Sequence, residues 1–262
     1  MRLAIDGVVK RFGNLAAVND CTLGLERDGI YGLVGPNGSG KTTLFNLISG
    51  FLRPDRGKIL FGDRSIGGKN PISITNMGIA RTFQLPRVFP NLTVEENLEA
   101  AIASGGKNKK VRELLEIFGL KEVRGAPAAS ISFGQKKQLE LARALSLDPS
   151  LLLLDEPTSG LEPSLVRVTV DQIKYVRELG KSIFIIEHNM NVIMNLAERI
   201  FVLHNGRKIA EGTPAEVKSN ALVIDAYLGE PATPTTATKK RKKKRVEDAD
   251  GGASTGAVVS GS

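Results

Sequence analysis

Gly35, Pro36, Asn37, Gly38, Ser39, Gly40, Lys41, Thr42 and Thr43 form one stretch that fits the phosphate-binding pattern G-x-x-x-x-G-K-[ST] at every fixed position. An apolar run, residues 30–34, leads in, and a helix-like run, residues 42–49, leads out. That strand–loop–helix setting is the one the motif needs. Glycines let the backbone curl so that several N–H groups converge on one anion. Lys41 adds a point charge for the outer phosphates, Thr42 offers a hydroxyl to Mg²⁺, and the helix N-terminus adds a favourable dipole. The plain alternative, a Gly-rich turn before a helix, leaves Lys41 and Thr42 in register unexplained.

At 262 residues the chain suits one large domain or two small ones, with room for a sizeable core. One cysteine, Cys21, excludes an internal disulfide framework, and its apolar surroundings make it a small core residue. No apolar run approaches the ~18 residues of a membrane span, and the N-terminus lacks a signal-like apolar segment. The expectation is a soluble intracellular chain that reaches a membrane only through partner subunits. The net charge of +8 is partly local: residues 231–262 hold seven Lys and Arg against three Asp and Glu, half of the excess. A basic patch on the body cannot be inferred from the total.

Residues 1–61 read as short strands with tight turns around the helix of the phosphate loop. A strand is expected over 79–84, then a loop rich in Pro and Phe. From 93 to 120 the pattern turns helical, with Thr93 and Glu96 spaced as a capping box and Leu114, Leu115 and Phe118 on one apolar side. Further helices are expected over 135–147 and over 164–179, the latter with Val166, Val170 and Ile173 on one face. Residues 151–154 and 183–186 are fully apolar, as buried parallel strands are. Strands alternating with helices argue for an α/β core, interrupted by a helical subdomain at about 92–147. The ordered domain is expected over 1–230. Residues 231–262, with an unbroken Lys/Arg run at 239–245, have the composition of a disordered basic tail.

A phosphate loop alone implies only a nucleotide. The apolar run 151–154 ends in Asp155 and Glu156, and an acid there can hold the Mg²⁺ shell while its neighbour polarises a water for attack on a γ-phosphate. A plain acidic turn fits those two residues equally well. Ser132 and Gly134, expected just before a helix, offer an anion site at its N-terminus, but an ordinary serine cap explains them better. Gln84 alone reads as a polar strand end, His188 as a structural residue between strand and helix, His204 as a turn residue, and Phe12 as an aromatic at a strand end.

In combination these segments are specific. Residues 2–229 resemble the ATP-binding subunit of an ABC transporter, with the family's motifs in order. Residues 35–43 are similar to Walker A, and Gln84 to the Q-loop glutamine. Ser132, Phe133, Gly134 and Gln135 resemble the signature motif. Asp155 and Glu156 resemble Walker B and the catalytic glutamate, residues 159–162 the D-loop, and His188 the switch histidine. Phe12 stands where the family stacks an aromatic on adenine. The resemblance implies a P-loop NTPase of ABC ATPase type: a mixed sheet with an N-terminal antiparallel β-subdomain and a helical subdomain. It implies ATP and Mg²⁺ as ligands, with Thr42, Gln84 and Asp155 on the metal and Glu156, His188, Lys41 and Gln84 catalytic. A second ATPase chain, identical or paralogous, would dock head to tail and bring Ser132, Gly134 and Gln135 over the γ-phosphate. Transmembrane permeases would meet residues 85–96, a solute-binding protein would act indirectly, and the subunit would sit at the cytoplasmic face of the membrane.

Residues 81–84, 89–97, 186–190, 209–214 and 226–229 resemble the branched-chain amino acid importer group within that family, as does the aromatic at Phe133. The alternatives are an ABC ATPase for urea or for lipopolysaccharide extraction, and a soluble ABC ATPase acting on nucleic acid. The last has only the basic tail in its favour. The chain departs from the family at Ile131, where Leu is usual, at Glu162, where Asp or Asn is usual, and in a short 97–130 segment.

Overall fold

The computed structural model describes residues 2–26, 28–102 and 107–228. The strands are β1 (Leu3–Phe12), β2 (Leu15–Leu25), β3 (Ile30–Val34), β4 (Arg56–Phe61), β5 (Arg64–Ser65), β6 (Ile79–Arg81), β7 (Leu151–Asp155), β8 (Ser182–Ile186), β9 (Arg199–His204) and β10 (Arg207–Gly212). The helices are α1 (Lys41–Ile48), α2 (Pro71–Asn76), α3 (Val94–Ala101), α4 (Lys107–Ile117), α5 (Phe133–Ser146), α6 (Pro163–Glu178), α7 (Met190–Leu196), α8 (Pro214–Lys218) and α9 (Ala221–Leu228). The expected tail at 231–262 lies outside the described residues.

Two sheets form. One is antiparallel in the order β2-β1-β4-β5, and the other is mixed in the order β10-β9-β3-β8-β7-β6. In the second, β9, β3, β8, β7 and β6 run parallel, and β10 returns antiparallel on β9. That return uses Asn205 and Gly206, both at positive φ (48° and 76°), the pair a two-residue hairpin turn favours. His204 therefore ends β9, one residue before the turn.

The apolar runs become strands because both faces of the parallel sheet are covered. All five residues of β3, of β7 and of β8 are buried. Successive side chains point to opposite faces, so each strand feeds two cores. Leu151, Leu153, Phe184, Ile186, Phe201 and Leu203 join α1 and the antiparallel sheet. Leu152, Leu154, Ile183, Ile185, Ile200 and Val202 join the helices of the other face. Phe184 sits between Phe45 and Phe201, with ring centroids 5.1 and 6.0 Å away. Each fully buried Leu, Ile or Phe contributes roughly 1.5–3 kcal/mol of transfer free energy.

The helical stretch shares the second core. Val94, Leu98, Leu114, Leu115 and Phe118 are buried in the same cluster as Leu152 and Ile183. Val166 and Val170 pack against it and Ile173 is fully buried, as the spacing on α6 requires. The capping box at α3 is present: Glu96 N–H donates to Thr93 Oγ1 (3.2 Å) and Thr93 N–H to Glu96 Oε2 (2.8 Å).

The strand expected over 79–84 stops at Arg81. Thr82 N–H still donates to Leu153 O. Beyond it the backbone is satisfied by a side chain: Phe83 and Arg87 N–H groups donate to Glu140 Oε1 at 3.2 and 3.0 Å. That carboxylate on α5 replaces the next rungs of the ladder and turns the chain into a loop.

Candidate active site

The parallel strands deliver the sequence-selected residues to one edge. Gly35 follows β3, Asp155 ends β7 with Glu156 directly after it, His188 lies two residues past β8, and Gln84 three past β6. All are carboxyl ends of neighbouring parallel strands, where open α/β sheets place their ligand crevice.

The loop between β3 and α1 is shaped by close backbone approach. Gly35 has φ 149°, and a Cβ there would lie 2.1 Å from Leu203 O. At Gly40, φ is 102° and a Cβ would lie 2.2 Å from Ala17 O. Only glycine fits either position. Lys41 is buried, and its Nζ donates to Gly35 O at 2.7 Å and Pro36 O at 2.8 Å, within 3.4 Å of Ser39 Oγ. The ammonium is thereby folded into the loop it must serve.

A cavity of about 780 Å³ opens against this loop. Asn37, Gly38, Gly40, Lys41, Thr42 and Thr43 form one wall. Phe12, Leu15 and Ala17 form a second, and Gln84, Glu156 and His188 a third. Phe12 is half-exposed, with Lys10 Nζ 5.7 Å from its ring centre. Another cavity, of about 730 Å³, lies by Arg2, Asp28 and Arg64 and takes none of the residues singled out in the sequence.

Glu156 is the most constrained group at the mouth. Its φ is 49°, a left-handed conformation that costs a non-glycine residue about 1–3 kcal/mol. Its N–H donates to Ile186 O (2.9 Å), and its carbonyl accepts from Lys137 Nζ (2.7 Å). Its carboxylate accepts from Gln84 Nε2 at 2.9 Å, and His188 Nε2 lies 2.8 Å from the other oxygen. The second contact requires a proton on that nitrogen, since two bare acceptors would repel. Burial holds the Lys137 ammonium below the ordinary lysine value, against the pull of Glu140, Glu187, Glu156 and Asp155. Burial also pushes the Glu140 carboxyl up to about 7, against the N–H groups of Arg87 and Phe83 that favour its charged form.

Asp155 lies behind this wall, buried, with Oδ2 2.9 Å from Arg81 in an ion pair whose two side chains are 6% and 5% exposed. Arg81 engages one oxygen of this carboxylate, Oδ2. Thr42 and Gln84 line the cavity while Asp155 does not, and all three carry hard oxygens of the kind that could hold Mg²⁺ alongside phosphates. Among the described residues there is no cluster of three or more His, Cys, Asp or Glu able to hold a metal alone.

Ser132, Gly134 and Gln135 do not line the cavity. Ser132 caps α5 in a full capping box: Gln135 N–H donates to Ser132 Oγ (3.2 Å) and Ser132 N–H to Gln135 Oε1 (2.9 Å). Gly134, expected ahead of the helix, lies inside its first turn, where a Cβ would meet Leu165 Cδ1 at 2.7 Å. Phe133 is exposed and rests on Gly160, which joins the start of α5 to the 159–162 loop. Sequence reasoning missed Arg81, Lys137 and Glu140 as parts of the site. A charged residue closing an apolar strand was the available signal for Arg81; a Lys and a Glu on an amphipathic helix gave none.

A family model described as ABC transporter matches residues 18–159, and one described as branched-chain amino acid ATP-binding cassette transporter matches residues 207–233. The high-affinity branched-chain amino acid transport ATP-binding protein LivG of Salmonella typhimurium is 37% identical over 249 residues, covering 87% of this chain and 98% of the relative. The probable LivG of Archaeoglobus fulgidus is 35% identical over 244 residues, with 87% and 95% covered. Among solved structures, the ADP conformation of MJ1267, an ATP-binding cassette of an ABC transporter, has a TM-score of 0.78 at 31% identity, covering 87% of this chain and 99% of that one. The dimeric post-hydrolysis state of the cassette MJ0796, bound to ADP and Pi, has a TM-score of 0.73 at 25% identity, with 81% and 98% covered. A nucleotide loop, an acidic strand end and a strand-end histidine sharing one crevice, with relatives alike over nearly their whole length, lead to one conclusion: the chain belongs to the ABC transporter family, as its ATP-binding, ATP-hydrolysing subunit.

Proposed function

We propose that this chain energises an importer of branched-chain amino acids. The observation that carries the chemistry is the Glu156 carboxylate, bracketed by Gln84 and His188 at the mouth of the phosphate-loop cavity. The substrate class rests on the 207–233 match and on the names of the relatives.

In this reading Phe12 stacks on the adenine. The N–H groups of the 35–43 loop receive the phosphates, and Lys41 exchanges its Gly35 and Pro36 carbonyls for phosphate oxygens. Thr42, Asp155 and Gln84 would hold Mg²⁺, which when bound neutralises phosphate charge. Glu156 takes a proton from the attacking water as the water oxygen bonds to the γ-phosphorus and the bond to the bridging oxygen breaks. Gln84 and His188 hold the carboxylate, and His188 faces the charge that develops on the phosphoryl group.

Because Ser132, Gly134 and Gln135 stand outside the cavity of their own chain, a second ATPase chain, docked head to tail, supplies them. The similar cassette bound to ADP and Pi is dimeric, which supports a second chain. Leu85 and Phe89, 73% and 48% exposed on the loop after Gln84, form the surface for a permease helix. A solute-binding protein acts through the permease. No helix among the described residues is long and apolar enough to cross a membrane. The permease subunits hold the chain at the cytoplasmic face. The cassette then runs over 1–230, with 92–147 as its helical insert.

Reconstitution with a permease pair and binding protein tests the substrate. ATP turnover should rise with leucine, isoleucine or valine, and indifference to all three would end the assignment.

A further inference from the structure

Thr42, Asn46 and Ser49 lie at i, i+4 and i+7, on one face of the helix that starts at the phosphate loop. Asp155 belongs to a different element, the end of β7. The side chain that grips both is Arg81, at the end of β6. One terminal nitrogen donates to Asn46 Oδ1 at 2.7 Å and to Ser49 Oγ at 2.8 Å. The other donates to Asp155 Oδ2 at 2.9 Å. Ser49 Oγ in turn donates to Phe45 O at 2.6 Å, so its lone pairs are fixed toward the guanidinium. The guanidinium lies 5.7, 5.8 and 5.0 Å from the ring centres of Phe45, Phe51 and Phe83. Phe51 and Phe83 pack edge to face at 5.7 Å. A planar fork held by apolar walls and three acceptors has very little freedom.

We infer that Arg81 is a positioning residue for the divalent cation that accompanies the nucleotide. By gripping α1 through Asn46 and Ser49 and β7 through Asp155, it sets the Thr42 hydroxyl and the Asp155 carboxylate in register. Its bond is to one oxygen of Asp155, Oδ2, rather than to both. The inference rests on the nucleotide-site reading given above. A role through charge alone has the opposite sign, because removing a cation beside a metal ligand would tighten metal binding.

The test uses the full-length protein, the non-cleavable analogue adenylyl imidodiphosphate, and Mn²⁺ followed by electron paramagnetic resonance. Analogue binding in EDTA is measured in parallel. Arg81→Met should loosen Mn²⁺ in the ternary complex about tenfold or more while metal-free analogue affinity stays within about twofold; Arg81→Lys, which keeps the charge but not the fork, should fall between. Unchanged or tighter Mn²⁺ binding overturns the inference, as does an equal loss with and without metal. If Arg81→Met does not fold, Arg81→Lys and the pair Asn46→Ala, Ser49→Ala decide by the same criteria, since the latter leaves the Arg81–Asp155 bond in place. Failure of the wild type to bind the analogue would sink the nucleotide reading as well, and is told apart because no variant is involved.

Discussion

Gln84 Nε2 donates to Glu156 Oε2 over 2.9 Å, tying the loop after β6 to the residue that follows β7. The bond spans the mouth of the cavity and leaves the phosphate loop untouched. Losing a hydrogen bond to a charged group costs about 1.5–3 kcal/mol when it is fully felt. Gln84 is exposed, so the low end applies, or roughly tenfold in rate. Gln84→Ala is expected to lower kcat about tenfold with nucleotide Kd changed less than about threefold. Steady-state ATPase assays and fluorescent-nucleotide titration check both.

Glu140 makes stability depend on pH. Its carboxyl, ordinarily near 4.5, is pushed to about 7 in the fold. Between those values the folded chain keeps a proton that the unfolded chain has lost. Its contribution is therefore fully present below about pH 4.5 and is lost as pH rises through about 7, on the order of 3 kcal/mol in all. Glu140→Gln keeps an oxygen acceptor for Phe83 and Arg87 but cannot titrate. Urea denaturation from pH 4.5 to 8 should show the wild type losing stability relative to this variant. Parallel pH curves would contradict the assignment.

Glu162 occupies the N-cap of α6 at φ −67° and ψ 154° but makes no side-chain cap bond. Glu, one methylene longer than Asp, is not among the residues that N-caps prefer. Glu162→Asp should add the missing cap and raise stability by about 0.5–1 kcal/mol, read as a higher melting temperature. No gain would mean that the orphan donors are already satisfied.

Gly40→Ala should disable the phosphate loop. The new Cβ would lie 2.2 Å from Ala17 O at a φ of 102°. Strain and overpacking together cost roughly 2–5 kcal/mol. Calorimetric ATP binding should vanish or weaken more than about a hundredfold, with a lower melting temperature. Near-normal binding would show that the loop can re-form around a side chain.

Much of the architecture was legible because its signals are local. The phosphate loop carries its meaning in nine consecutive residues, and β7 and β8 read as parallel strands because both of their faces are buried. The Thr93 cap could be read from spacing alone. The Arg81–Asp155 pair could not, since its partners are 74 positions apart and nothing near Arg81 names its acceptor. Nothing in the pattern of α5 marks Glu140, because only the fold brings the Phe83 and Arg87 N–H groups to it. The same contacts explain why the strand expected to reach residue 84 ends at Arg81. Ser132 with Gln135 fits a capping box by spacing; which partner an anion site there would serve is a property of assembly, outside any single chain's pattern.

ATP turnover of Glu156→Gln, in protein that still binds nucleotide, tests the central claim most directly. The amide keeps the shape and the left-handed backbone but cannot accept the proton of the attacking water. Turnover should fall at least about a hundredfold with nucleotide affinity retained. Turnover within a few-fold of wild type would remove Glu156 as the base and contradict the account of the site.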